Sequence, residues 1–150
     1  MPKPPTHTKH HRCSGCPYET KGKGYVPGLG PADAKVALIG QGPGRDELAV
    51  GKPFVGAAGR RLDIQLSKAG IPRRLCWIDN VTRCRIVVRG QDVAPAKAVE
   101  ECKERHWLAE LHAREASLDC VVAIGTAAAR ALVGSWYSDR AAGTVMEVEL

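Results

Sequence analysis

Two cysteines in "CSGC" near the start of the chain, Cys13 and Cys16, have the spacing that lets two thiolates grip one metal centre. Two more thiolates would complete a four-cysteine site, and the chain has six cysteines in all. Cys76 and Cys120 fall in apolar runs, where cysteine packs as a small buried hydrophobe. Cys84 closes one such run and Cys102 sits in a helical pattern, with a loop between them that can fold the two together. Cys13, Cys16, Cys84 and Cys102 are therefore the expected ligands. Zinc and a 4Fe-4S cluster both accept four thiolates, and spacing does not separate them. His7, His10 and His11 flank the first pair and are able to ligate, but a His-rich arm reads first as polar surface.

A second stretch, "GQGPGRDELAVGKPFVGAAGRRL" from Gly40 to Leu62, is dense in glycine and proline. Glycines let the main chain approach a ligand closely, and their exposed N–H groups can hold an anionic or carbonyl oxygen. The Walker pattern requires a Gly-Lys-Ser/Thr ending, and the dinucleotide fingerprint requires a helix directly after its glycines. This loop is read as having neither, which disfavours a nucleotide-binding enzyme. Phe54, the one Phe of the chain, stands in the same loop and either fills the core or offers a stacking platform for a base.

The elements that must carry these residues alternate. "KVALIG" (Lys35 to Gly40) reads as a short buried strand, and "AAGRRLDIQLSKAG" as a helix with Leu62, Leu66 and Ala69 on one face, stopped by Gly70 and Pro72. "LCWIDNVTRC" (Leu75 to Cys84) is a second strand, "RIVVRGQDVAP" a loop, and Ala96 to about Ser117 the longest helix, with His106 and His112 on its surface or packed. "LDCVVAIG" is a third buried strand, "TAAARALVG" a helix capped by Thr126 and ended by Gly134, and "GTVMEVEL" a half-exposed strand. Strands alternating with helices predict an α/β fold: a short central, mostly parallel sheet with helices on both faces. Ligands of such sheets sit beyond the carboxyl ends of the strands, where Gly40 to Gly44 falls.

At 150 residues, 44% hydrophobic and 25% charged, the chain is long enough for a single domain with one core, preceded by a flexible arm over residues 1–12. The net charge of +6 favours a polyanionic partner such as DNA or RNA. No apolar run approaches the roughly 20 residues of a membrane span. With no hydrophobic leader either, the expected location is cytoplasmic, in the reducing interior of a cell or of a viral host, where thiols stay free for metal.

Together the C-x2-C pair, "GQGPGRDE", "GKPFVGAAGRRL", "NVTRCR", Cys102 and "VVAIGTAAARALVG" resemble the uracil-DNA glycosylase superfamily, most closely its iron–sulfur family 4. The resemblance implies that Cys13, Cys16, Cys84 and Cys102 hold a 4Fe-4S cluster rather than zinc. It also implies a three-layer α/β/α fold in which Gly40, Gln41, Gly42 and Gly44 line the pocket, Phe54 stacks on a flipped uracil and Asn80 reads its edge. The Asn amide offers one donor and one acceptor. The glycosidic bond of the extruded nucleotide would then break with positive charge on the sugar and negative charge on the departing base.

The pattern departs from the family at Gln41, where the family carries Glu, and loss of a positioned base costs about 10²–10⁴ in rate. Asp46 and Glu47 are the nearby carboxylates that could replace it, and Gln41→Glu is expected to raise residual activity. The family's His-Pro-Ser loop has no counterpart in the sequence, so the domain is expected to be shortened at its C-terminus. The expectations are therefore a DNA-binding iron–sulfur protein, taking single-stranded or base-flipped duplex DNA with weak or absent uracil excision. The alternative is a catalytically inactive iron–sulfur subunit of a replication or repair complex, in which a protein partner covers the shortened sheet.

Overall fold

The computed structural model describes residues 10–134 together with Gly143 and Val145. Apart from those two residues, the expected strand over residues 143–150 lies outside the described residues, as do His7 and most of the N-terminal arm. Three parallel strands form the centre in the order β2-β1-β5: β1 (Val36–Gly40), β2 (Cys76–Asn80) and β5 (Cys120–Ala123). Alternation along each strand sends side chains to opposite faces, and the two faces carry separate cores. Ala37, Ile39 and Trp77 pack under α3 (Ala96–Cys102), α4 (Leu108–His112) and α5 (Thr126–Val133) through Val99, Trp107, Leu111 and Ala128. Val36, Leu38, Cys76 and Ile78 pack under α2 (Ala57–Lys68) through Leu62 and Leu66. The result is the three-layer α/β/α arrangement expected from the sequence. No helix among the described residues is long and apolar enough to cross a membrane.

Register does the positioning: Gly40 pairs with Asn80 at the carboxyl ends of β1 and β2. Several elements differ from expectation. The strand over 75–84 stops at Asn80 because β1 has ended beside it; the chain then crosses to Tyr25, which bridges Cys84. The Gly40–Leu62 loop contains a short helix, α1 (Arg45–Val50), ended by Gly51 at φ 75°. A helix thus does follow the glycines directly, and what excludes the dinucleotide fingerprint is glycine spacing alone.

Residues 85–95 form a hairpin, β3 (Ile86–Val88) and β4 (Gln91–Val93), rather than a loop. The long helix over 96–117 is interrupted by a π-helical segment at Lys103–Trp107 and ends at His112. β5 is an edge strand among the described elements and is largely exposed, so Cys120 is an exposed thiol and not a buried one. The cap of α5 is Gly125, at φ 89°, with Thr126 already inside the helix.

Candidate active site and thiol chamber

A cleft of about 430 Å³ opens at the carboxyl ends of β1 and β2, lined among others by Gly42, Gly44, Asp46, Phe54, Asn80 and Arg85. Gly40 sits beneath it. A Cβ there would strike the Phe54 ring and lie 2.6 Å from Asn80 Oδ1, so only glycine lets ring and amide meet over the strand end. The Asn80 side chain, 3% exposed, makes no hydrogen bond within the described residues and opens to the cleft.

Phe54 is held in a left-handed conformation, φ 52°, that costs a non-glycine residue about 1–2 kcal/mol. Its surroundings impose this. Arg73 donates to the carbonyls of Pro53 (3.1 Å) and Phe54 (3.0 Å) while its other nitrogen binds Asp63 (2.6 Å). Gly59 lies so close to the Phe54 carbonyl that any side chain on it would overlap.

Glu47 fastens the two loops. Its carboxylate accepts from the backbone N–H groups of Gly44 (3.0 Å), Val55 (2.9 Å) and Gly56 (2.8 Å). Burial alone would raise its pKa, but the N–H groups of Gly56, of Glu47 itself, of Val55 and of Gly44 together hold it below its ordinary value. Glu47 is thus a strut with its lone pairs taken, not a replacement base. Asp92 at the far wall is paired with Arg85 at 2.7 Å. Asp46 is the cleft carboxylate left with neither an ion pair nor a hydrogen bond among the described residues.

Gln41 does not point into the cleft. Its side-chain amide donates to the Asp92 carbonyl at 3.1 Å, and its own carbonyl accepts from Thr82 N–H (3.1 Å) and hydroxyl (3.2 Å). The sequence-based reading of Gln41 as the degenerate catalytic position therefore misses what the side chain does: it moors the β3–β4 hairpin.

The four expected ligands meet in a second cavity of about 550 Å³, which also contacts Tyr25, Arg45, Arg83 and His106. Burial and the neighbouring Cys102 and Cys16 push the Cys13 thiol up to about 11. The Cys84 and Cys102 thiols titrate together: contact with Cys102, then burial and the neighbouring thiols, raise the Cys84 pKa, while contact with Cys84 lowers that of Cys102. Among the described residues no three His, Cys, Asp or Glu side chains are gathered round a single ion position. The donor set nonetheless fits an anionic cofactor: four cysteines line one chamber, with the basic residues Arg45, Arg83 and Arg105 among the same lining.

Sequence reasoning passed over the frame of this chamber. Arg83, 2% exposed, binds Asp79 and Glu110 and donates to the Tyr25 hydroxyl at 3.1 Å. Asp79 precedes Asn80 and Arg83 precedes Cys84, so one buried ion network ties the cleft strand to the cysteine loop and to α4. His106, read as helix surface or packing, is buried with Nε2 3.3 Å from Cys13 Sγ and with Nδ1 unpartnered. Burial, then the nearby Arg83, lowers its pKa to about 4. The π-helical turn brings His106 and Trp107 inward together, and Trp107 Nε1 donates to the Val81 carbonyl at 3.2 Å. His10 stacks on Tyr25 with centroids 5.0 Å apart, and Arg105 donates to the carbonyls of Arg12 (3.0 Å) and Ser14 (3.1 Å), seating the Cys13–Cys16 segment.

A family model described as the uracil DNA glycosylase superfamily matches residues 27–148. The chain is 34% identical over 142 residues to the type-4 uracil-DNA glycosylase of Archaeoglobus fulgidus, covering 91% of this chain and 69% of that protein. Its identity to the type-4 enzyme of Thermotoga maritima is 39% over 74 residues, covering 49% of this chain and 38% of that one. To the type-4 enzyme of Pyrobaculum aerophilum it is 42% over 73 residues, covering 49% of this chain and 37% of that one.

Proposed function

The chain belongs to the uracil-DNA glycosylase superfamily, and from that premise we propose that it is a DNA-binding iron–sulfur protein that takes an extruded uracil nucleotide in the Phe54–Asn80 cleft. The observation that carries this reading is the Gly40 contact. Phe54 and Asn80 converge over a residue that has no side chain, leaving a ring face and an unoccupied amide edge to one planar base. A stacked base adds about 1–3 kcal/mol, enough to offset the unpairing of a flipped uracil. The Asn80 amide supplies one donor and one acceptor to the edge of the ring.

Excision is slow in this reading, because the position that carries Glu in the family is an amide committed to the hairpin. Asp46 is the carboxylate positioned to offset charge on the sugar. Cys13, Cys16, Cys84 and Cys102 would hold the cluster. Each thiolate of a cluster binds its own iron, so the thiols need not converge on one point as zinc requires. When bound, the cluster would supply a covalent tie between the N-terminal segment, the Cys84 loop and α3. The location follows as a reducing, intracellular one.

The test is a strand-release assay with uracil-containing single- and double-stranded DNA, beside an absorbance spectrum and iron determination on anaerobically purified protein. Slow release, abolished by Asp46→Asn, together with a broad visible band and bound iron, is the expected result. Iron with neither release nor uracil-dependent DNA binding would instead favour the inactive subunit of a repair or replication complex.

A further inference from the structure

We propose that the β3–β4 hairpin is a duplex-probing wedge, with Val88 at its tip entering the base stack vacated by the extruded nucleotide and Arg89 holding the strand beside it. The proposal rests on the cleft reading above and assigns the insertion step to an element outside the cleft itself.

The root of the hairpin belongs to the cleft: Arg85 and Asp92 line it and are paired at 2.7 Å. Its tip does not. Val88 is 50% exposed, and Arg89, Gly90 and Gln91 are exposed beside it. Val88 lies three residues beyond Arg85, about 10 Å along the strand at about 3.3 Å per residue, and its partner Gln91 adjoins Asp92. A DNA groove is about 7.5–8.5 Å deep. An apolar side chain delivered to that depth can stand in a base step and keep it open, as groove-binding proteins do with aliphatic wedges.

The turn itself carries the second observation. Arg89 and Gly90 have φ 51° and 79°, the paired positive values of a two-residue hairpin turn. Asn, Asp or Gly adopt the first position with little strain, whereas an Arg there costs about 1–2 kcal/mol. A long cation kept at a strained, exposed tip points to a polyanion. An isolated two-stranded hairpin is marginal in water, yet this one is moored three times: by buried Ile86, by Arg85–Asp92, and by Gln41 to the Asp92 carbonyl at 3.1 Å. A prong held this firmly beside a base-sized cleft is built to bear on something.

The experiment measures binding by anisotropy to one oligonucleotide, single-stranded and as a duplex, carrying a uracil nucleotide fluorinated on its sugar so that the glycosidic bond resists cleavage. A fluorescent base analogue opposite the uracil reports unstacking. Val88→Ser, which changes no charge, should weaken duplex binding about tenfold, as for the loss of an aliphatic wedge between base steps, and quench the unstacking signal. Its single-strand affinity should stay within about twofold. Arg89→Gly relieves the strained turn, so it should melt no lower than the parent while losing duplex affinity, which separates a lost contact from a lost fold. Equal losses on duplex and single strand, or an unchanged duplex affinity in Val88→Ser, would overturn the wedge and leave the cleft reading standing. A parent protein that binds neither form would overturn both.

Discussion

In the cleft, the side chains that face a ligand are held by main-chain groups: Arg73 on the Phe54 carbonyl, Glu47 on three N–H groups, Gly40 and Gly59 as absent side chains. In the thiol chamber, Arg105 on the Arg12 and Ser14 carbonyls apart, the holding is done by side chains on one another, through Arg83, Asp79, Glu110, Tyr25 and His106. Both sites share the segment from Asp79 to Cys84, and Arg45 touches both cavities. The cleft is therefore a preformed shape, set locally and tolerant of change elsewhere. The chamber depends on every member of a polar network that closes only when residues far apart in the chain have met.

The comparison breaks hardest at Arg83. Arg83→Leu leaves the Asp79 carboxylate buried without a cationic partner, its remaining bond being from the Asn80 N–H, which should destabilise the protein by about 3–5 kcal/mol in urea denaturation. Because Cys84 follows directly, bound iron should fall with it, as it should in Cys84→Ser, while Cys120→Ser, on an exposed edge strand, keeps both iron and stability. If Arg83→Leu lost less than about 1 kcal/mol, within the range of an exposed pair, the network would not be the frame of the chamber.

At Gly40 the expected pattern is the reverse, a functional loss in a stable protein. The Cβ of Gly40→Ala displaces the Phe54 ring and the Asn80 amide. Uracil-dependent binding should fall by about 10–100-fold, the stacking contribution of one base, with the melting temperature little changed. Equal losses of stability and binding would show the cleft to be as coupled as the chamber.

How much of this the residues announced differs between the regions for the same reason. Gly40 and Phe54 stand out in the sequence as parts of a glycine-rich loop that follows a strand, whereas Asn80 is named only through the family resemblance, because neither strand alone carries the register that sets it beside Gly40. The cysteines could be listed by type, but Arg83 and His106 could not. An arginine in "NVTRC" looks like any basic loop residue, and His106, four residues after Cys102 on the same helical face, reads as simple packing until the fold sets it against Cys13. The hairpin was hidden by Arg89, which occupies a turn position that sequence patterns reserve for Asn, Asp or Gly. The exposure of β5 was hidden because an apolar strand reads as buried whether or not a neighbour covers it.

Glu47 tests how local the cleft really is. Its folded pKa is depressed below the ordinary 4.5, chiefly by backbone N–H groups acting against burial. The stability it contributes is therefore complete above 4.5 and is lost as pH falls through the lower folded value. Glu47→Gln should cost about 1 kcal/mol at neutral pH, as for the loss of a capping contact. It should also flatten the acid limb of the stability profile, and hydrogen exchange should quicken at Gly44, Val55 and Gly56 but not around the cysteines. Quickened exchange at Cys84 would mean that the two regions unfold as one.

The smallest effect, and the one that separates two roles for a single residue, belongs to Gln41→Glu. A carboxylate only accepts hydrogen bonds, so the substituted side chain could not donate to the Asp92 carbonyl and would face another acceptor across 3.1 Å. The hairpin should lose about 0.5–1.5 kcal/mol of anchorage, read as faster exchange of the β3–β4 amides and a few-fold weaker duplex affinity. The family pattern alone leads to a different expectation, a gain in uracil excision. Both follow if the released side chain swings into the cleft, and then excision on single strands rises while duplex binding falls. A variant that excised faster on duplex DNA with the hairpin amides still protected would show that position 41 serves chemistry and not the prong. In that case the cleft and its hairpin would be as separable as the cleft and the chamber are joined.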